Sequence, residues 1–158
     1  GSNIRVDSGL EVIKNEVHLV ALKNVVLTNN ADAPGLTVQE SKVTLGGGEY
    51  TLTLDGNDKG QHGVRVTDGT LILEKNAIIT NCTNSGVYLL RADFTMNGGS
   101  ISVNSATSGG GISVSGPPVS LRWRACSART KVLPVRVATS ASSARPTWTL
   151  HSPMWHSH

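Results

Sequence analysis

A glycine recurs at positions 9, 35, 63, 86 and 111, and the same short apolar pattern follows it each time. Counting from each glycine, the residues at offsets 1, 3, 8 and 10 are apolar in all five copies, with no gap inserted. The copies read Leu10, Val12, Val17, Leu19; then Leu36, Val38, Val43, Leu45; then Val64, Val66, Leu71, Leu73; then Val87, Leu89, Phe94, Met96; and last Ile112, Val114, Val119, Leu121. Their starts lie 26, 28, 23 and 25 residues apart. Such a period marks a repeat architecture, in which each unit buries its apolar face against the next. Apolar residues two apart are the signature of a short strand with one buried face. A third strand is expected around Val26, Leu52/Leu54, Ile78 and Ile101/Val103, each running into an asparagine: Asn29, Asn57, Asn81 and Asn104.

Three short strands in about 25 residues predict one coil of a parallel β-helix. The expected fold class is therefore all-β: a β-solenoid of about five coils over residues 9–121, with a lead-in strand within residues 1–8. A hairpin meander fits poorly, because it needs a turn signal at every reversal and keeps no fixed register along the chain. Equivalent residues one coil apart sit about 4.8 Å from each other and stack into ladders. The glycine ladder is expected to supply corners with positive φ, and the asparagine ladder to satisfy turn backbone groups. Composition agrees: 17 glycines and only 16% charged residues suit a chain of strands and tight turns better than a helical bundle. Gly1-Ser2 reads as a cloning scar, so a natural start, a signal peptide included, is expected to have been cut away.

The pattern stops near residue 121. Residues 1–114 contain all 11 acids and 8 of the 14 basic residues, whereas residues 115–158 contain six basic residues, no acid and all three tryptophans. The basic character thus belongs to the tail, and nucleic acid is not an expected partner of the repeat. Residues 122–158 read as an irregular basic tail, either disordered or foreign to the repeat, as a frameshifted or appended segment would be. A basic, aromatic arm for nucleic acid or anionic glycans is the functional alternative; the absence of helical or alternating regularity argues against it. His151, His156 and His158 have no closed-site metal spacing. Cys82 and Cys126 cannot build a disulfide framework, and each reads as a free thiol. No apolar run approaches the roughly 18 residues of a membrane helix.

Chemistry on a solenoid must come from outward residues stacked at one offset. Offset 2 brings Arg65 and Tyr88 to neighbouring coils, and these are the candidate binding residues. Offset 5 gives Lys14, Glu40, Asp68 and Arg91. Glu40 and Asp68 form the one adjacent acid pair, able to share a proton or hold Ca²⁺ with Arg91 beside them as a cation. The plainer reading is a charge-compensated turn stack. The primary assignment is therefore no catalytic residue, no metal and no cofactor, with Glu40, Asp68 and Arg91 as the catalytic alternative and Ca²⁺ only under that alternative. The loop Asp55–Gly60 half matches a calcium loop, but Lys59 stands at a ligand position, so a plain insertion turn is expected. Neither a phosphate-cradling glycine loop nor a nucleophile elbow is present.

The run FTMNGGSISVNSATSGGGISV, residues 94–114, resembles the repeats of bacterial surface adhesins and autotransporter passengers, within the right-handed parallel β-helices of the pectate-lyase-like superfamily. Phe94–Asn97 matches the F-x-x-N motif of chlamydial polymorphic membrane proteins, and Gly110, Gly111 and Ile112 approach their G-G-A-I motif without its alanine. The resemblance implies a right-handed, extracellular or cell-surface rod with host or matrix glycans or proteins as partners. It implies as alternative a carbohydrate-active enzyme, a polysaccharide lyase or hydrolase or a fragment of one. Gln61–Val64 resembles a Gly-His-Gly segment of pectin-degrading hydrolases, but His62 lacks stacked aspartate partners, so that role is not carried over. Open solenoid ends make self-association a further expectation.

Overall fold

The computed structural model describes residues 2–6, 9–59, 61–106, 110–116 and 120–123, with the backbone alone at 2–6 and 123. Val119, Cys126, the tail histidines, Trp148 and Trp155 lie outside the described residues, as does Gly60 of the calcium-like loop.

The chain winds as a parallel β-solenoid of about four turns, three strands to a coil, with no helix among the described residues. The strands are β1 Ser2–Val6, β2 Leu10–Ile13, β3 Glu16–Leu19, β4 Val25–Asn29, β5 Leu36–Gln39, β6 Lys42–Leu45, β7 Leu52–Asp55, β8 Val64–Thr67, β9 Thr70–Leu73, β10 Ala77–Thr80, β11 Val87–Leu90, β12 Asp93–Met96, β13 Ser100–Ser102, β14 Ile112–Ser115 and β15 Leu121–Trp123. They stack as three five-stranded sheets, β1-β4-β7-β10-β13, β2-β5-β8-β11-β14 and β3-β6-β9-β12-β15, here called the first, second and third sheets. Val12 pairs with Val38, Val38 with Val66, Val66 with Leu89 and Leu89 with Val114, so the apolar offsets of the second sheet form unbroken ladders, whereas the last rung of the third sheet is shifted by two: Leu121, not Val119, pairs with Phe94, and Trp123 pairs with Met96.

Those ladders are the core. Leu36, Val38, Val43, Val64, Val66, Leu71, Leu73, Val87, Leu89, Phe94 and Ile112 are fully buried. The first coil is the exception. Its Leu10 is 37% exposed, because β2 and β3 stand at the outer edges of their sheets and have a neighbouring strand on one side only. The lead-in strand β1 covers the corresponding edge of the first sheet, pairing Ile4 with Leu27.

The third strands lie where expected, except that Val103 falls beyond β13, and the register of the first sheet fixes their phase. The inward residues are Leu52, Leu54, Ala77, Ile79 and Ile101, with Val25 and Leu27 in the same columns. Val26 and Ile78 face outward, and Val103 is 69% exposed beyond the end of β13. A slip of one residue inverts a strand's faces.

The glycine ladder is also corrected. Of the repeating glycines only Gly9 has a positive φ, 78°. Gly63 and Gly86 are required by space. A Cβ on Gly63 would lie 2.2 Å from Ile79 Cγ2 and 2.6 Å from the Gly86 carbonyl oxygen, and one on Gly86 would lie 2.4 Å from Ile101 Cγ2. Through this corner the ladder of hydrogen bonds continues unbroken: Leu36 N–H donates to Gly63 O at 3.0 Å, Val64 N–H to Gly86 O at 2.9 Å and Val87 N–H to Gly111 O at 3.0 Å.

The asparagines do not form one column. Register places Asn29 and Asn81 beside Gly56, whereas Asn57 donates its amide to Asn30 Oδ1 at 2.9 Å, one position further on. Asn104 Oδ1 accepts the Cys82 N–H at 2.9 Å. Cys82 is a buried free thiol, and burial together with the nearby Asp55 charge pushes its pKa up to about 12.

Candidate functional site

The second and third sheets are joined by two-residue corners, and these carry the offset-5 charges. Lys14, Glu40, Asp68 and Arg91 all adopt left-handed backbone, with φ of 51°, 47°, 51° and 48°. The fifth copy has Gly116 there, with φ of 78°. This dihedral bends the chain sharply enough for one strand to end and the next to begin within two residues. The second corner residue is small in three of the four, Ser41, Gly69 and Ala92, and Ser41 Oγ donates to Gln39 O at 2.7 Å and accepts the Asn15 N–H at 3.0 Å.

Stacking order along the axis is Lys14, Glu40, Asp68, Arg91, so each acid meets a base on its outer side. Lys14 Nζ lies 3.7 Å from Glu40 Oε2. Arg91 holds Asp68 through a bidentate pair, with Nε to Oδ1 and an Nη to Oδ2 both at 2.7 Å. Hydrogen bonding from Arg91 holds the Asp68 carboxyl below its usual pKa, so Asp68 stays ionised and both its oxygens are engaged. Two positions on, Lys42 Nζ reaches Glu16 Oε1 at 2.6 Å, and the two columns border a shallow, open polar groove. Glu40 and Asp68 thus sit on adjacent coils as their offsets require, within a stack of alternately closed ion pairs. Among the described residues no three metal-ligating His, Cys, Asp or Glu side chains converge. Within the calcium-like loop, Asp55 Oδ1 accepts the Asn57 N–H at 2.9 Å and the Asn81 amide at 3.1 Å, both bonds serving the turn.

The offset-2 residues face outward from the second sheet, between the buried Val64, Val66, Val87 and Leu89. Arg65 pairs with Tyr88 in register, and its guanidinium carbon lies 5.9 Å from the centre of the Tyr88 ring. His62 joins them, with its ring centre 4.9 Å from that of Tyr88 and the planes tilted by 31°. Burial first, and then the Arg65 charge, lowers the His62 pKa, against a hydrogen bond to the Ser85 backbone that raises it. At neutral pH the ring is uncharged. His62 Nδ1 is buried without a hydrogen-bond partner, beside a small cavity that Asn29 and Asp55 also line. His62 has no stacked aspartate partners, so the sequence alone gives it no catalytic role. Its place one residue before the corner glycine, diagonal to offset 2, was the signal that joins it to Tyr88.

Compared with known protein families, with curated proteins and with solved structures, the chain matches none. The residues behind the adhesin resemblance have structural roles here. Phe94 is fully buried, Asn97 donates its amide to Glu74 Oε1 at 2.7 Å, Gly110 O accepts the Gly86 N–H at 2.9 Å and Ile112 is a core residue.

Proposed function

We propose that this chain is a structural, adhesive β-solenoid segment of a bacterial surface or secreted protein, making contact with glycans through the outward face of its second sheet. The supporting observation is the Tyr88 ring, half-exposed on the outward side of the second sheet, with the Arg65 guanidinium over it and the His62 ring packed near it. A half-exposed aromatic ring next to a cation offers a sugar both a stacking surface and a polar partner. The carbohydrate-active enzyme receives no comparable support, since of its paired acids Asp68 is closed by Arg91 and Glu40 lies 3.7 Å from Lys14 Nζ. The test is retention on a panel of immobilised glycans, comparing the chain with Tyr88→Ala. Retention that depends on the ring supports the reading. Equal retention of both proteins sinks it, and so does polysaccharide turnover that disappears in Glu40→Ala.

A further inference from the structure

The charges of this solenoid are distributed unevenly. Three ion pairs occur among the described residues, Lys14–Glu40, Lys42–Glu16 and Arg91–Asp68, and all lie at the corner between the second and third sheets or on the strand just after it. Arg65 takes part in none of them. Its neighbours in register on the second sheet are Thr37 on one side and Tyr88 on the other, with Ser113 beyond. From β5 to β14 the outward positions of this sheet hold Thr37, Gln39, Arg65, Thr67, Tyr88, Leu90, Ser113 and Ser115, with no carboxylate. The exposed Arg65 guanidinium, with no ion-pair partner among the described residues, therefore stands over a half-exposed ring, on a strip of hydroxyls. Thr37 to Ser113 spans three rungs, about 14 Å at the usual strand spacing.

We propose that Tyr88, Arg65 and His62 form one binding face for an anionic saccharide, with Tyr88 as the stacking surface, Arg65 as the counter-charge and His62 as the positioning residue that holds the tyrosine ring. The inference rests on the glycan-contacting reading above and adds the charge class of the ligand and a third residue. A carboxylate or sulfate on the sugar meets the planar fork of Arg65, which suits either oxyanion. The sugar's apolar C–H face lies on Tyr88. His62 is mostly withdrawn from solvent and neutral, so it acts through the ring it packs against, not through charge.

The test is affinity of the full chain for three tetrasaccharides: galacturonate, carrying carboxylates; a sulfated chondroitin fragment; and neutral N-acetylglucosamine. Either anionic ligand is expected to bind about tenfold more tightly than the neutral one, the better of the two identifying the preferred anion. Arg65→Gln should bring that ratio close to one while weak binding persists. His62→Ala should weaken binding of every ligand by about fivefold, with His62→Phe restoring it, because an aromatic wall is what the position supplies. Equal affinity for charged and neutral ligands overturns the anionic class and leaves the glycan reading standing. Binding of none of the three overturns both. Should His62→Phe lose as much as His62→Ala, the positioning role falls. Arg65→Gln lies on the exposed face, and its unchanged melting temperature serves as the folding control.

Discussion

Each coil turns just before and just after its second-sheet strand, and the two turns solve opposite problems. At the corner of Gly35, Gly63 and Gly86, φ is ordinary and the space beside the backbone is full. At the corner of Glu40, Asp68 and Arg91, the space is open and φ is left-handed. Glycine occupies the first because no side chain fits there. Charged residues occupy the second although glycine would suit it better, and Gly116 does so in the last copy. A ladder of glycine thus reports close approach of one coil to the next, while backbone strain hides under residues that look like ordinary surface charges.

The sharpest way to break this comparison is Gly63→Ala. With contacts of 2.2 and 2.6 Å awaiting its methyl group, the variant is expected to lose about 3 kcal/mol in urea unfolding, comparable with the core truncation Leu71→Ala at about 2–5 kcal/mol. A neutral result would show that the coils separate easily. Gly35→Ala sharpens the same point, since its nearest contact is 3.0 Å, to the Gly63 carbonyl oxygen, and a loss of about 1 kcal/mol is expected. At the other corner the sign reverses. Glu40→Gly should gain about 1 kcal/mol by relieving left-handed backbone, despite losing the 3.7 Å contact with Lys14. A loss there would mean that the ion-pair stack, not the dihedral, governs the corner.

Two smaller effects appear on acidification. The His62 pKa is lowered on folding, so the unfolded chain takes up its proton first. Stability should fall as pH drops below the ordinary value of 6.5 and level off below the folded value. His62→Gln should remove that step from a series of melting curves. Asp68 is likewise lowered, and its contribution is present above its ordinary value of 3.8 and lost as pH falls through the folded value. Being exposed, it should give the smallest change of all, visible as a difference between the chain and Asp68→Asn.

The difference between the corners also explains what the sequence made legible. The second sheet, and the third as far as β12, could be read to the residue, because their strands alternate cleanly and start a fixed distance from a glycine; in the last copy the count slips by two, and Leu121 rather than Val119 pairs with Phe94. The first sheet could be placed only roughly. In β4 the run Val25-Val26-Leu27, and in β10 the run Ala77-Ile78-Ile79, are apolar on both faces, so alternation gives no phase. The connection before the first sheet also varies in length, from the six residues between Leu45 and Leu52 to the three between Leu73 and Ala77. Offset counting brought Glu40 beside Asp68 and Arg65 beside Tyr88. It carried no information on φ, on which neighbour each acid chooses, or on the approach of His62 from a turn, because those depend on the path of the backbone between strands.

Cys82 gives the molecule a clock. Its thiol is buried and its pKa is about 12, so a folded chain at mildly alkaline pH presents almost no thiolate to an alkylating reagent. Each opening of the coil that carries it restores an ordinary thiol for as long as the opening lasts. When reclosing outpaces labelling, the labelling rate measures the opening equilibrium itself, in the manner of native-state amide exchange. A β-solenoid is stabilised nearly one coil at a time, through contacts with the coils above and below. One sulfur in the β10–β11 turn therefore reads how often an interior coil comes apart while the rest of the rod stays wound.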